Sequence, residues 1–299
     1  MRILLTGSSG LIGSELVPFL RAAGHSVTRL VRRPAHEGGK EIAWNPAERK
    51  IEPTALEEFE AVIHLAGENL SARRWSSEFK NLILQSRAES TSLLATTLAG
   101  LKHPPKVLVS ASATGYYGNR GEETLDERSP AGTGFLSKVC RAWEEATQIA
   151  ADKGIRVVNL RIGMVLAASG GALAKMLTPF KLGLGGRIGS GRQYWNWIAL
   201  DDLIEVFHHT LIHEALRGPV NAVAANPVTN LEFTQTLGRV LGRPTIFPVP
   251  EFAARLAFGE MADELLLASQ RVVPAKLRES RFTFRFPELI LALRHVLGK

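Results

Sequence analysis

Three glycines near the start of the chain, Gly7, Gly10 and Gly13, have the spacing of a phosphate-binding turn. They lie between an apolar run at 3–5 and a helix-like segment at 11–23. At such a turn the first glycine lets a strand bend sharply, and the second lets the backbone approach a pyrophosphate. The third lets the next helix pack closely. Free N–H groups and the positive end of that helix then face the phosphates. The implied chemistry is a dinucleotide held by its pyrophosphate.

A second position bears on which dinucleotide. The second predicted strand ends in Val31-Arg32-Arg33-Pro34, with no acid in reach to hold a ribose diol. Arginine presents a planar fork that suits phosphate oxygens. The arginine pair therefore points to NADP(H), against the alternative of two solvated surface charges. At another strand end stands Leu65-Ala66-Gly67-Glu68-Asn69, whose small residues suit a backbone lying against a nucleotide or a simple turn.

Alternating elements must position these residues. Apolar runs at 3–5, 27–31, 62–65, 107–109 and 157–160 alternate with helix-length segments at 11–23, 78–101 and 135–153. That order predicts an α/β fold, a Rossmann-type doubly wound parallel sheet, here with seven strands in its core. The texture changes after 165. Glycines cluster at 183–191, Tyr194, Trp195 and Trp197 follow, and Asp201 and Asp202 open another helix. A run at 220–223 reads as a late sheet strand. The expected division is a dinucleotide-binding domain at 1–165, its sheet completed by about 200–225. A smaller, mainly helical C-terminal lobe takes 166–200 and 226–299, with a helical module from about 250.

Composition narrows the classes. The chain has 299 residues, 45% hydrophobic and 22% charged, as expected of a globular protein. No apolar run is long enough to span a bilayer, and the N-terminus runs directly into a strand, so a cytoplasmic location without membrane partners is expected. The net charge of +7 comes from scattered residues with no long basic run, which argues against nucleic acid and for a small anionic ligand. The single cysteine, Cys140, excludes an internal disulfide and reads as a buried small residue. The eight histidines lack metal-ligand spacing, His209 and His213 being the nearest approach, so no metal site is expected. His64 reads as a core histidine satisfied by backbone, with a proton shuttle as the alternative.

Longer segments carry a resemblance. TGSSGLIG at 6–13, HLAGEN at 64–69, SASATGYYG at 110–118, NLRIGMVL at 159–166 and WIALDDL at 197–203 occur in the order found in the short-chain dehydrogenase/reductase superfamily. The chain resembles its extended branch, which includes nucleotide-sugar epimerases. It is more similar still to an atypical epimerase-like NADP-binding subgroup, through LAGENL, RRW at 73–75, PFKLGLGGRIGSGRQYWNWI and the helical C-terminal module. The resemblance implies that Gly7, Ser8, Gly10, Leu11, Ile12 and Gly13 hold the pyrophosphate. It places Val31 and Arg32 at the adenosine ribose and its phosphate, and Leu65, Ala66 and Gly67 along the groove. Arg87 would reach the cofactor from the following helix, with Val165 near the nicotinamide. It also implies a possible homodimer through the helices at 78–101 and 135–153.

The match breaks at the catalytic dyad. The superfamily places tyrosine and lysine at Y-x-x-x-K on one helix face, where the lysine's charge lets the phenol exchange a proton near neutral pH. This chain has three tyrosines, and residues 120, 121 and 198, four positions after each, are Arg, Gly and Ile. Lys138 is present, but the residue four before it is Gly134. The serine of the family falls on Ala113, with Ser112 on one side and Thr114 on the other, and Ser112 is the expected hydroxyl. Tyr116 is the chosen phenol, with Arg120 or Lys138 supplying positive charge; alternatively Tyr116 and Tyr117 are packing anchors. Trp195 and Trp197 could wall a substrate pocket or fill the lobe's core.

The expected function is thus an NADP(H)-dependent oxidoreductase or epimerase-like enzyme acting on a carbonyl or sugar-nucleotide substrate without the usual dyad. The alternative is a non-catalytic NADP(H)-binding, redox-linked regulatory module.

Overall fold

The computed structural model describes residues 1–36, 38 and 40–299. In chain order its strands are β1 (Arg2–Thr6), β2 (Ser26–Val31), β3 (Glu41–Asn45), β4 (Lys50–Ile51), β5 (Ala61–His64), β6 (Val107–Ala113), β7 (Thr124–Leu125), β8 (Arg156–Ile162), β9 (Met164–Leu166), β10 (Tyr194–Trp195), β11 (Trp197–Ala199), β12 (Gly218–Ala222), β13 (Val228–Thr229) and β14 (Arg271–Val272). The helices are α1 (Leu11–Ala22), α2 (Ser77–Ala99), α3 (Phe135–Glu145), α4 (Gln148–Asp152), α5 (Gly171–Lys181), α6 (Leu200–Ile212), α7 (Asn230–Leu241), α8 (Glu251–Phe258), α9 (Ala275–Glu279) and α10 (Leu289–Val296).

Two compact units divide the chain. One takes Met1–Ser112, Val139–Leu160 and Val206–Val220; the other takes Ala113–Lys138, Arg161–Glu205 and Asn221–Lys299. The division expected at 165 is drawn differently here, because β6 and β8 each run on from the first unit into residues of the second.

The first unit carries a mostly parallel sheet in the order β12-β8-β6-β5-β1-β2-β3-β4. Strand β1 pairs in parallel with β2 and β5, as does β5 with β6 and β2 with β3. This is the expected Rossmann-type arrangement with eight strands rather than seven. The addition is β4, a two-residue strand antiparallel to β3 at the sheet edge. Apart from the short stretch at 42–44 in β3, these two edge strands carry little apolar pattern, and the alternating runs of the sequence did not include them. Leu4, Val62 and Leu108, on β1, β5 and β6, pack with Leu94 and Leu98 of α2 in a core exposed by 1% or less at each of these residues. Truncating any of these leucines to alanine costs about 2–5 kcal/mol.

The helix expected at 135–153 is broken into α3 and α4. Thr147 donates its hydroxyl to the carbonyl of Glu144 at 2.6 Å, and its N–H bonds the same carbonyl at 3.1 Å. Asn159 Nδ2 donates to the same hydroxyl at 3.2 Å, fixing it. A side chain that competes for the backbone in this way ends a helix. Cys140 is buried, as expected.

The second unit packs α5, α7 and α10 around Trp195, Trp197, Phe233 and Leu293. A capping box between Thr229 and Glu232 starts α7, and Gly242 closes it in the left-handed conformation. From residue 250 the chain is helical, as expected, except for β14, which pairs with β7. No helix among the described residues is long and apolar enough to cross a membrane.

Candidate functional site

The glycine turn is built by close approach. Gly7 has φ of +70°, and a β-carbon there would lie 2.8 Å from the Leu65 carbonyl carbon. A β-carbon at Gly13 would collide with the carbonyl oxygen of Gly7 and lie 2.7 Å from Ser8 Cα. Gly13 is therefore needed where the helix meets the turn itself. Gly10 differs: the nearest atom to a β-carbon there is Gly7 O at 3.4 Å, so the backbone faces open space. Gly10 is also the N-cap of α1, with no side-chain cap and no acid in the first turn. The helix thus presents its positive end uncapped beside Ser8, Leu11 and Ile12, which are partly exposed.

Beneath the turn, Thr6 and His64 fix the neighbouring loop. The Thr6 hydroxyl accepts the N–H groups of Leu65 at 3.0 Å and Ala66 at 3.2 Å. It lies 2.8 Å from His64 Nδ1. Full burial pushes the His64 imidazole down to about 4, so the ring is neutral around pH 7. It is a satisfied core histidine, but side chains satisfy it. Arg87 is buried under the same loop. Its guanidinium donates to Glu68 O at 2.9 Å and Ile83 O at 3.3 Å, and lies over the Trp143 ring at 5.1 Å. A β-carbon on Gly67 would lie 3.4 Å from Arg87 Cζ, so the loop rests on this side chain.

The two arginines after β2 are not equivalent. Arg33 forms a paired contact with Glu41, at 2.9 and 2.7 Å, and Arg29 reaches the same carboxylate at 2.5 Å. Hydrogen bonds from Arg33 and then from the His36 N–H hold the Glu41 carboxyl at about 2. Arg32, beside the half-buried Val31, is exposed and has no partner among the described residues. The sequence offered an arginine pair; the fold spends one on Glu41 and leaves the other available.

Ser112 closes the first unit at the end of β6. It is buried, and its hydroxyl donates to Glu144 Oε1 at 2.7 Å. At the end of α6, the ring of His209 stacks at 3.6 Å on that of His213, the residue after the helix.

In the second unit, Thr114–Tyr117 forms a short 3-10 turn directly after β6. Tyr117 is fully buried. Its hydroxyl accepts from Arg161 at 3.0 Å and faces Asn221 Oδ1 at 2.7 Å and Asp126 O at 3.0 Å. Burial pushes this phenol up to about 12. Tyr116 is half-buried, and its hydroxyl has no partner among the described residues. The Arg161 guanidinium lies 3.4 Å from its ring centroid. The cation at Tyr116 is therefore Arg161, which sequence reasoning missed because it sits in another strand. Arg120 is engaged by Glu123 at 2.8 and 2.7 Å, and Lys138 is exposed. Val165 is half-buried on β9, opposite Ile198 of β11. Trp195 and Trp197 are core residues, the former edge-on to Phe233 at 5.5 Å.

Against a dinucleotide, the first unit's residues fit. The turn leaves open backbone at Gly10, the helix end is uncapped, and an arginine without a partner among the described residues follows β2. Known proteins agree. The profile of the NAD dependent epimerase/dehydratase family matches residues 3–222, and that of a domain of unknown function, DUF1731, matches 249–296. An epimerase family protein of Mycobacterium bovis is 45% identical over 282 residues, covering 94% of this chain and 93% of its own. The human epimerase family protein SDR39U1 is 38% identical over 301 residues, covering 100% of both chains. The crystal structure of human SDR39U1 (isoform 2) with NADPH superimposes with a TM-score of 0.92 at 37% identity, covering 100% of both chains.

Proposed function

The chain belongs to the NAD dependent epimerase/dehydratase family, and on that premise we propose that it binds NADP(H) and acts as an oxidoreductase or epimerase-like enzyme on a carbonyl or sugar-nucleotide substrate. The carrying observation is the uncapped N-terminus of α1 at Gly10 together with Arg32 after β2, which has no partner among the described residues. NADPH in the crystal structure of human SDR39U1 supports the same cofactor here.

In this reading Gly7, Ser8, Gly10, Leu11, Ile12 and Gly13 hold the pyrophosphate, and Val31 and Arg32 take the adenosine end with its extra phosphate. Leu65, Ala66 and Gly67 line the groove, supported from below by Arg87, and Val165 lies toward the nicotinamide. When bound, NADP(H) supplies or accepts hydride. Tyr116 then offers its free hydroxyl to the substrate oxygen, with Arg161 stacked on its ring. Ser112, whose hydroxyl already serves Glu144, positions that carboxylate.

The Ser112–Glu144 bond and the missing dyad favour a second reading, an NADP(H)-binding module without turnover. One experiment separates the readings. Titrating the protein with NADPH and NADH should show NADPH retained at micromolar levels and NADH much more weakly. Incubating the complex with aldehydes, quinones and UDP-sugars should then consume or exchange hydride. Binding without any turnover supports the module; failure to bind either dinucleotide overturns both readings.

A further inference from the structure

Three helices of the second unit end around one cavity. Helices α5, α7 and α10 stop at Lys181, Leu241 and Val296, and their ends border a space of about 430 Å³. Its floor is apolar, made by Leu177, Leu241, Val296 and Leu297, at the edge of the core around Trp195 and Phe233. Its rim is basic and carries Lys181, Arg243 and Lys299. All three are exposed, and none of their side chains has a hydrogen bond or ion pair among the described residues. Among the described residues no acidic, amide or hydroxyl side chain lines the cavity. A cation in the last turn suits a helix's negative end, which accounts for Lys181. Arg243 and Lys299 lie past the last turns of α7 and α10, where that attraction has faded. The apolar surface continues outward from the rim. Leu182, next to Lys181, is 69% exposed, and Ile246, three residues past Arg243, is 72% exposed. The two segments lie together, since a β-carbon on Gly183 would be 3.8 Å from Pro244 Cγ.

We propose that this cavity binds an anionic amphiphile, an acyl chain on the apolar floor with a carboxylate or phosphate head held by Lys181, Arg243 and Lys299. The proposal is independent of the dinucleotide reading, and every residue it uses belongs to the second unit. The volume falls within the range of small-ligand pockets, roughly 300–1,000 Å³. A sugar or a base would press polar edges onto a floor that offers them no partner, whereas an alkyl chain needs none. The head is negative because three cations and no acidic side chain stand at the rim. A two-fold contact with a second copy would set these cations against their own copies, which opposes it. Free fatty carboxylates and the anionic lipids of a bilayer share this chemistry.

The test compares wild type, the double variant Lys181→Gln/Arg243→Gln and Ala168→Phe by calorimetric titration, alongside melting temperature. The probes are octanoate, decanoate and dodecanoate below their micelle concentrations, with decanol as the uncharged control. Ala168 lines the cavity and is exposed, so the larger ring enters the cavity and not the core. Expected is affinity that rises with chain length, by up to about fourfold per added methylene. The double variant should lose about tenfold or more for decanoate and little for decanol, whereas Ala168→Phe should lose both. Co-sedimentation with phosphatidylglycerol vesicles reads the source of the ligand: retention that decanoate abolishes assigns a bilayer lipid, and decanoate binding without retention assigns a free one. No fatty-carboxylate binding by wild type overturns the proposal, as does equal binding by all three proteins. A lower melting temperature in the double variant with unchanged binding also overturns it and marks the cations as counter-charges to the helix ends. If wild type binds no probe but self-associates, and Ala168→Phe does not, the cavity is a contact between copies and the proposal falls. Should Ala168→Phe fail to fold, the double variant decides alone.

Discussion

The hydroxyl of Thr6 and Nδ1 of His64 lie 2.8 Å apart, and this contact fixes the tautomer of the ring. The hydroxyl already accepts from Leu65 and Ala66, so its own proton points to Nδ1. Nδ1 is then the acceptor and Nε2 carries the hydrogen, facing Ser90 Oγ at 3.4 Å. Ser90 in turn donates to Ser86 O at 2.7 Å. One chain of bonds thus runs from the loop at 65–66, through two strands, to α2.

His64 gives the fold a pH dependence. Its folded value, about 4, lies below the ordinary 6.5 because burial disfavours the charged ring. Above 6.5 the ring is neutral folded or unfolded. Between 6.5 and about 4 only the unfolded chain takes up the proton, so stability falls as pH falls through this window. The imidazole resonances of His64 should not titrate by NMR until near pH 4. In His64→Asn the melting temperature should depend less on pH over that range.

Arg32 and Arg33 should separate in binding. Arg33 is committed to Glu41, whereas Arg32 is unpaired among the described residues. Arg32→Ala should weaken NADPH roughly tenfold or more, as expected for losing a charged hydrogen bond worth about 1.5–3 kcal/mol, and leave NADH nearly unchanged. Arg33→Ala should change NADPH affinity little. Fluorescence titration of each variant with both dinucleotides reads this, and equal losses in the two variants would contradict the assignment.

The glycines of the turn should resist substitution for different reasons. Gly7→Ala meets both a left-handed backbone and the Leu65 carbonyl, so it should lower stability by about 1–3 kcal/mol. Gly10→Ala has room within the protein and should fold normally yet bind NADPH more weakly, because the added methyl enters the space kept for phosphate. Denaturant melts and NADPH titrations of both variants test the contrast.

The adjacent tyrosines should also behave oppositely. Tyr117→Phe removes a buried hydroxyl bonded to Arg161 and Asn221, which should cost about 1–3 kcal/mol of stability. Tyr116→Phe removes a hydroxyl with no partner among the described residues, so stability should stay within about 0.5 kcal/mol. Any turnover should drop, through KM as well as kcat. Urea unfolding and steady-state kinetics on the two variants decide it.

Much of the first unit was legible in the chain. The strands that match apolar runs begin and end within a residue or two of them, except β6, which extends further. The short strands β3 and β4 were hidden because two to five residues at a sheet edge carry too little pattern. The break between α3 and α4 was hidden because the apolar spacing continues across it, while Thr147 and Asn159 meet only in the folded chain. Arg32 and Arg33 looked alike until β3 brought Glu41 beside one of them.

By itself, the sequence determined what depends on near neighbours: the glycine turn, the strand before it, the helix after it and the absence of a tyrosine–lysine dyad. Spacing along the chain is enough for these, since strand and helix periods repeat within a few residues. The tertiary structure alone decided which cation stacks on Tyr116, which hydroxyl orients His64 and which carboxylate caps the start of α3. The bond from Phe135 to Glu264 spans 129 residues. Such pairings follow from the order of strands in the sheet and the packing of distant segments, which no local period encodes.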